Sequence, residues 1–215
     1  MTAVGGRPLV AVLDYGIGNL HSAQKALERM GADARLTSDP GLVADAAGVV
    51  LPGVGAFGAC MSELRACGLE DPALEVIATG RPFLGICVGM QMLFDGSDED
   101  HDAKGLGVIP GMIRWIPPGV KRPQMQWNRL NLRLPDDPIL NGLGDDPWVY
   151  FVHSLYGVPT DSAMVAATCE YGVTVNAAFR SGNVFATQFH PEKSGPTGLH
   201  VLRNFVGVCS STGRS

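Results

Sequence analysis

The sequence predicts an α/β fold in which a mostly parallel central sheet is flanked by helices, with added antiparallel strands in the C-terminal half. Short apolar runs alternate with helical patterns through the first half of the chain, which is typical of a parallel sheet covered on both faces. After Gly105 the pattern changes to short strand-like pieces separated by turn residues. Of the 215 residues, 46% are hydrophobic and 17% are charged, so the chain can bury a sizeable core.

The first half of the chain alternates between strand and helix patterns. A buried strand over residues 9–15 precedes a helix over residues 19–30, whose apolar side chains share one face. Because parallel strands are joined by long crossovers, usually helical, this order favours a parallel sheet. The further predicted elements are a strand at 47–51, helices at 59–66 and 69–78, a strand at 82–86 and a helix at 88–94.

The second half contains shorter predicted strands and a closing helix. The strands are predicted at 113–115, 129–134, 148–152, 164–168 and 173–179, and the helix at 198–208. The sequence has no repeats, no low-complexity segment and no convincing linker. We therefore expect a single domain over residues 1–215, with an ordered core over about 8–209.

Charge and cysteine usage argue against several classes of protein. The net charge of −5, without a basic block, argues against a nucleic-acid surface. No apolar stretch approaches the length of a membrane span, and residues 5–8 (Gly-Gly-Arg-Pro) do not resemble a signal peptide. The five cysteines are scattered and form no C-x-x-C pair, so neither a zinc site nor a disulfide framework is indicated. We expect a cytoplasmic enzyme without a metal.

The stretch Gly85-Ile86-Cys87-Val88-Gly89 carries the clearest chemical signal. A buried strand ends here and the chain turns into a helix, with cysteine at the position of the serine in a nucleophile elbow. The flanking glycines remove Cβ atoms that would clash in such a turn. The helix dipole favours the reactive thiolate, and the Val88 N–H can point at a developing oxyanion. We interpret Cys87 as a nucleophile; the alternative is a small apolar cysteine packed between glycines.

A candidate base and its orienting partner lie near the C-terminus. His190 follows the β-rich run at residues 185–189, and Pro191 after it cannot donate to a sheet ladder. A histidine at a strand end can reach the end of a neighbouring parallel strand, and Glu192 can hydrogen-bond its imidazole. Cys87, His190 and Glu192 therefore form a candidate nucleophile, base and orienter. The alternative is a hydrogen-bonded loop histidine.

Two other patterns are weaker. Residues 53–58 match G-x-G-x-x-G, but they do not follow the first strand of their unit, and no acidic residue stands at the expected distance. The acidic run at 95–102 is similar to a calcium loop but lacks the required glycine at Ala103 and carboxylate at Ile109. We therefore predict neither a dinucleotide site nor a calcium site, and we interpret residues 95–102 as a solvated, mobile loop.

Together with the Cys87, His190 and Glu192 set, further motifs give the chain a family resemblance. The chain resembles class I glutamine amidotransferases, which carry a G-x-C-x-G elbow and a distant His-x-Glu. Within them it is similar to the family of glutaminase subunits of imidazole glycerol phosphate synthases. The matching segments span nearly the whole chain: DYGIGNL at 14–20, PGVGAF at 52–57, GMQ at 89–91, FVHS at 151–154 and HPEKS at 190–194.

The resemblance implies a single-domain class I amidotransferase fold, a reaction and a partner. It implies that L-glutamine is hydrolysed without a cofactor and that the ammonia passes to a (β/α)8 cyclase in a heterodimer. That cyclase makes imidazole glycerol phosphate and aminoimidazole carboxamide ribotide in histidine biosynthesis. The implied residues are Gly53, Val54 and Gly55, with Val88, for the oxyanion hole; Gln91, Ser154 and Leu155 for glutamine; and Tyr15, Asn19, Trp127 and Lys193 near the partner interface.

The chain departs from the family pattern at one place. Residues 123–128 read Pro-Gln-Met-Gln-Trp-Asn, where the family has Pro-His-Met-Gly-Trp-Asn in a loop at the partner interface. Gln124 and Gln126 therefore bear on the identity of the partner and on coupling to it. Two alternatives stay open: a glutaminase subunit of another amidotransferase, such as a paralogue in a surface-sugar pathway, and a catalytically decayed binding subunit.

Overall fold

The computed structural model describes residues 6–134 and 136–212; residues 1–5, 135 and 213–215 of the predicted domain lie outside the described residues. The strands are β1 (Leu9–Leu13), β2 (Asp33–Thr37), β3 (Gly48–Gly53), β4 (Phe83–Cys87), β5 (Phe94–Ser97), β6 (Asp100–Lys104), β7 (Ile109–Trp115), β8 (Gln124–Arg129), β9 (Asn131–Leu132), β10 (Trp148–His153), β11 (Leu155–Pro159), β12 (Val165–Glu170), β13 (Thr174–Ser181) and β14 (Val184–Thr187). The helices are α1 (Leu20–Arg29), α2 (Pro40–Asp45), α3 (Phe57–Ala66), α4 (Glu70–Ala78), α5 (Val88–Gln91) and α6 (Gly195–Thr212).

Within the described residues, an eight-stranded sheet forms the centre of the fold, in the order β2–β1–β3–β4–β14–β13–β12–β9. The strands from β2 to β14 in this order run parallel, and β13, β12 and β9 continue the sheet with antiparallel pairing. Strands β3 and β4 are buried along their whole length, as expected for a parallel sheet covered on both faces. The predicted α/β fold, with a mostly parallel sheet and added antiparallel strands, is confirmed.

Two smaller sheets complete the C-terminal half. Strands β8 and β10 pair antiparallel, and β11, β7, β5 and β6 form a second sheet in that order. Only Ser154 separates β10 from β11, so the chain passes from one small sheet to the other at this residue. This crossing lies close to the end of β4, where the candidate site is built.

Most predicted elements are present, with ends that differ by a few residues, but the predicted helix over 88–94 is wrong after Gln91. Helix α5 is a single turn, and Phe94 already begins β5. The chain leaves the helix because the Leu93 carbonyl accepts hydrogen bonds from the N–H groups of Val108 and Ile109, at 2.8 and 2.9 Å. This backbone pairing holds residues 92–94 beside β7 instead of on the helix.

The acidic run at residues 95–102 is not the solvated, mobile loop that the sequence predicted. It forms most of the β5–β6 hairpin, and its carboxylates accept specific hydrogen bonds. Asp95 accepts from the Gly111 N–H at 2.7 Å, Asp98 accepts from Arg114 at 2.6 Å, and Glu99 accepts from the Phe57 N–H at 2.7 Å. The acidic side chains therefore join this hairpin to β7 and to the start of α3.

The edge strand β2 and the short helix α2 were missed in the sequence. The β2 sequence, DARLT, carries an exposed ion pair between Asp33 and Arg35, which hides the apolar pattern of a strand. In the part of the chain that the structure describes, no helix is long and apolar enough to cross a membrane.

Candidate active site

Cys87 lies at a sharp turn between β4 and α5. It is the last residue of β4 and the N-cap of α5, with φ 56° and ψ −113°. Among the described residues it is the only residue other than glycine with a positive φ. Backbone strain of this kind costs about 1–3 kcal/mol. Glycine is required two residues later because a Cβ on Gly89 would overlap the carbonyl oxygen of Leu51.

His190 reaches Cys87 because their strands are neighbours in the sheet. Strand β14 pairs in parallel with β4, and Thr187 lies opposite Ile86. The chain then runs three residues past the end of β14 to His190, which lines the same pocket as Cys87 and interacts with it electrostatically. The Nδ1 atom of His190 lies 2.8 Å from Oε1 of Glu192, and both side chains are almost completely buried. The structure therefore brings Cys87, His190 and Glu192 into one connected set.

The surroundings of His190 change its pKa. Burial lowers the pKa of the imidazole, but its hydrogen bonds and charge interactions with Cys87 and Glu192 have a larger opposite effect, which raises the pKa to about 9. The imidazole therefore carries its proton near neutral pH, with a sulfur on one side and a carboxylate on the other. A group in this state can donate a proton to a leaving group.

An open pocket of about 280 Å³ lies above the sulfur of Cys87. It is lined by nine of the residues singled out in the sequence: Val54, Gly55, Cys87, Val88, Gln91, Ser154, Leu155, His190 and Lys193. Glu192 does not line this pocket but lies behind His190. The pocket has one end at the strained turn and the other where β10 passes into β11.

Gln91 is a buried pocket residue and not a residue of the helix surface. Its Nε2 lies 3.4 Å from the Leu155 carbonyl oxygen and 3.3 Å from Oε1 of Gln188. Gln188 in turn places its Nε2 3.9 Å from the Cys87 sulfur. These buried amides connect the wall of the pocket at Leu155 with the sulfur at its base.

The segment from Gly53 to Gly55 lies directly beside Cys87. Gly53 ends β3 and is in register with Cys87 in the parallel pairing of β3 and β4. A Cβ on Gly53 would lie 2.6 Å from the Gly89 nitrogen, so no larger residue fits there. Gly55 has φ +91° and open space around it. Val88 begins α5 on the other side of the sulfur.

The four residues predicted near a partner interface occupy different surroundings. Lys193 is exposed at the pocket, and Trp127 is 48% exposed on β8. Asn19 is partly buried, and its Nδ2 lies 3.3 Å from Oε1 of Glu192. For Tyr15 the expectation of an interface residue is corrected. Its side chain is 1% exposed and its hydroxyl donates to the Pro52 carbonyl inside the core. Tyr15 therefore presents no surface to a partner.

Gln124 also differs from the expectation of an interface loop. Residues 124–129 form β8, and the Gln124 side chain is 0% exposed, whereas Gln126 on the same strand is exposed. Gln124 lies 3.1 Å from Nε2 of His153, whose Nδ1 lies 2.7 Å from the Leu155 carbonyl oxygen. Burial lowers the pKa of His153 to about 4, so this histidine is neutral.

Three further residues line the pocket and were not predicted from the sequence: Glu99, Val152 and His153. Glu99 belongs to the acidic run that was interpreted as a loop. The spacing of residues in the sequence does not show that this run lies next to the helix at residues 57–66. His153 stands next to Ser154 in the FVHS motif, and this adjacency is the sequence signal that could have identified His153 as a pocket residue. Within residues 6–134 and 136–212, no group of His, Cys, Asp and Glu side chains is arranged to hold a metal ion.

The chain is similar to known proteins over almost its full length. A family model described as glutamine amidotransferase class-I matches residues 11–208. An imidazole glycerol phosphate synthase subunit HisH of Synechococcus sp. (strain JA-3-3Ab) is 50% identical over 200 residues, which are 92% of each chain. The HisH subunit of Methanothermobacter thermautotrophicus is also 50% identical, over 93% of this chain and 98% of the relative.

Solved structures share the fold at lower sequence identity. A crystal structure of a glutamine amidotransferase superposes with a TM-score of 0.74 at 22% identity, covering 93% of this chain and 98% of the other. The structure of PurLQS from Thermotoga maritima superposes with a TM-score of 0.73 at 22% identity, covering 94% and 98%. These matches agree with the architecture described above.

Proposed function

Since the chain belongs to the class-I glutamine amidotransferases, and within them to the HisH subunits of imidazole glycerol phosphate synthases, we propose that it hydrolyses L-glutamine and passes the ammonia to a cyclase partner. The observation that carries the reaction is the contact of Cys87 with His190 at a strained turn that opens into the pocket. A strained backbone conformation of this kind is typical of functional sites.

The first half of the reaction forms a thioester. The Cys87 thiolate attacks the carboxamide carbon of glutamine, and the negative charge moves to the carbonyl oxygen. N–H groups of Val88 and of the Gly53–Gly55 segment stabilise this oxyanion. The C–N bond then breaks while the His190 imidazolium donates its proton to the nitrogen, so that ammonia leaves and the acyl group stays on sulfur.

The second half returns the enzyme to its starting state. Neutral His190 accepts a proton from a water molecule, whose oxygen attacks the thioester carbon. The C–S bond breaks, glutamate leaves, and the thiolate and imidazolium form again. Glu192 holds the Nδ1 side of the imidazole throughout, at 2.8 Å, so that the other ring nitrogen stays aimed at the reacting atoms.

Charges on the pocket wall fit an amino-acid substrate. Glu99 and Lys193 both line the pocket, and their charges suit the ammonium and carboxylate groups of free glutamine. Gln91, Ser154 and Leu155 are assigned to the same substrate, with Gln91 already held by buried hydrogen bonds. The pocket volume of about 280 Å³ is close to the lower end of small-ligand sites.

The partner is proposed to be the (β/α)8 cyclase of imidazole glycerol phosphate synthase, contacted through Asn19, Trp127 and Lys193. The five cysteines all lie in the described ranges and are free, which supports a cytoplasmic location, where thiols stay reduced.

The test is a glutaminase assay of the full-length chain, alone and with the cyclase subunit. We expect glutamate release with the cyclase and labelling of Cys87 by an electrophilic glutamine analogue. The absence of both in a folded protein that binds the cyclase would mean a decayed binding subunit. Hydrolysis without any response to this cyclase would instead favour another amidotransferase partner.

A further inference from the structure

We propose that Tyr15 and Cys60 are positioning residues that hold the backbone carbonyls on either side of the Gly53–Val54 peptide. The inference rests on the proposed function, because the segment Gly53–Gly55 is assigned there to the oxyanion hole. It gives a role to two buried side chains that take no part in the chemical steps.

Two side-chain donors reach this segment from neighbouring elements. The Tyr15 hydroxyl follows β1 and donates to the Pro52 carbonyl at 2.7 Å. The Cys60 thiol, in α3, donates to the Val54 carbonyl at 3.3 Å. The two side chains also interact with each other, so they act on the segment from one cluster. The held carbonyls belong to residues 52 and 54, one before and one after the carbonyl of Gly53.

Both donors keep their protons near neutral pH. Each side chain is almost completely buried, at 1% exposure for Tyr15 and 0% for Cys60. Burial raises the pKa of the Tyr15 hydroxyl and the pKa of the Cys60 thiol. Both groups are therefore neutral hydrogen-bond donors at any pH at which the enzyme would work.

The two hydrogen bonds limit which backbone group can rotate. They fix the peptide that precedes Gly53 and the peptide that follows Val54. The peptide between them contributes the N–H of Val54, and the pocket is lined by Val54. Glycine at 53 permits rotation of this peptide, and the crowding of Gly53 by Tyr15 and Gly89 prevents the segment from shifting as a whole. Reorientation is thereby confined to the Val54 N–H, one of the groups proposed to stabilise the oxyanion.

A purely structural explanation for Tyr15 makes a different prediction. A buried tyrosine hydroxyl usually finds a partner, whatever the function of the protein. Loss of such a bond lowers stability and leaves catalysis unchanged. Loss of a positioning contact instead weakens an interaction made only in the transition state, so kcat and kcat/KM fall together while KM stays constant.

The experiment measures glutamine hydrolysis by the full-length chain in complex with the cyclase, for Tyr15→Phe, Cys60→Ala and Cys60→Ser. We expect Tyr15→Phe and Cys60→Ala to lower kcat by about tenfold or more, up to the ~10²–10³ that loss of an oxyanion donor costs, with KM unchanged. Cys60→Ser keeps a hydroxyl donor at the same position, so it should recover most of the kcat that Cys60→Ala loses.

Matched controls remove comparable groups elsewhere. Tyr171→Phe deletes a hydroxyl that donates to the Lys121 carbonyl at 2.9 Å, and Cys209→Ala deletes a buried thiol in α6. Both controls should keep kcat. The thermal midpoint of every variant is measured in parallel, so that a change of kcat is separated from a loss of folded protein.

The outcomes separate this inference from the proposed function. If the wild-type complex hydrolyses glutamine and the Tyr15 and Cys60 variants lose only thermal stability, the positioning role is wrong and the glutaminase assignment stands. The role is also wrong if the controls lose as much kcat as the test variants. If the wild-type complex hydrolyses no glutamine, the proposed function itself fails.

Discussion

The amide of Asn19 lies 3.3 Å from the carboxylate oxygen of Glu192 that also binds His190. This oxygen, Oε1, therefore has two donors, whereas Oε2 is buried and has no hydrogen-bond partner among the described residues. Asn19 stands at the start of α1 and contacts the back of the set formed by Cys87, His190 and Glu192, away from the pocket. The first helix of the chain is thus connected to a carboxylate, that of Glu192, which lies far along the chain.

We expect Asn19→Ala to lower kcat for glutamine hydrolysis by about threefold to tenfold, since one donor to the orienting carboxylate is lost. KM should change little, because Asn19 does not line the pocket. Asn176→Ala is a matched control that removes one amide–carbonyl bond, at 2.9 Å to Gly157. An equal loss of kcat in both variants would contradict the role of Asn19 in orienting Glu192.

Cys87→Ala should abolish glutamine hydrolysis while the complex with the cyclase still runs on added ammonium salts. In the proposed mechanism the sulfur serves only the release of ammonia, so the acceptor reaction does not need it. The measurement compares product formation with glutamine and with ammonium as nitrogen source. Loss of the ammonium-dependent reaction in a correctly assembled complex would argue against this division.

Glu192→Gln should reduce glutamine hydrolysis by about 10²–10⁴-fold and leave a measurable rate, in contrast to Cys87→Ala. The amide oxygen can still accept from the His190 Nδ1 group, but it carries no charge to stabilise the imidazolium. The comparison uses single-turnover kinetics of both variants in the assembled complex. Complete loss in both, with folding intact, would show that Glu192 does more than orient.

The titration of His190 should depend on Cys87. The pKa of the imidazole is raised to about 9 in part by Cys87, so Cys87→Ala should lower it, as measured by NMR of the labelled imidazole. In the wild type the folded-state pKa lies above the ordinary 6.5. This group therefore stabilises the fold fully below about pH 6.5, and its contribution is lost as the pH rises through about 9. An unchanged pKa in the variant would contradict the contact.

Gly89→Ala should strongly destabilise the fold, by about 2–5 kcal/mol or to the point of misfolding, because the new Cβ would overlap the Leu51 carbonyl. Gly207→Ala is the matched control, since the exposed position in α6 has open space, and alanine is the better helix former by about 1 kcal/mol. Chemical denaturation measures both. A small change in the Gly89 variant would show that the turn can relax.

The sequence predicted the parts of the site that depend on local chemistry. A cysteine between glycines after a buried strand identified Cys87, and the run from 185 to 192 identified His190 and Glu192 as its companions. These signals are readable because strand ends in a parallel sheet meet at one edge, so motifs far apart in the chain become neighbours. Recognising the two strands that end at Cys87 and before His190 was therefore sufficient to predict that Cys87, His190 and Glu192 lie together.

The parts that failed depend on tertiary pairing. Tyr15 follows β1 and has the sequence context of a loop residue. The neighbouring strand β3 contains Pro52, whose carbonyl accepts a hydrogen bond from the Tyr15 hydroxyl. Gln124 stands in a polar stretch, and only the pairing of β8 with β10 turns it toward His153. Glu99 was hidden in an acidic run whose carboxylates bind backbone N–H groups from elsewhere in the chain. No local pattern contains these partners.

The strained turn at Cys87 also bears on the alternative of a catalytically decayed subunit. A side chain at φ 56° makes folding less favourable, and glycine at the same position would relieve the strain. The strain is therefore a cost to stability that the fold bears only at this one residue among the described residues other than glycine. A side chain held in strain at this point is what use of the sulfur in chemistry would require, and it weighs against a decayed binding subunit.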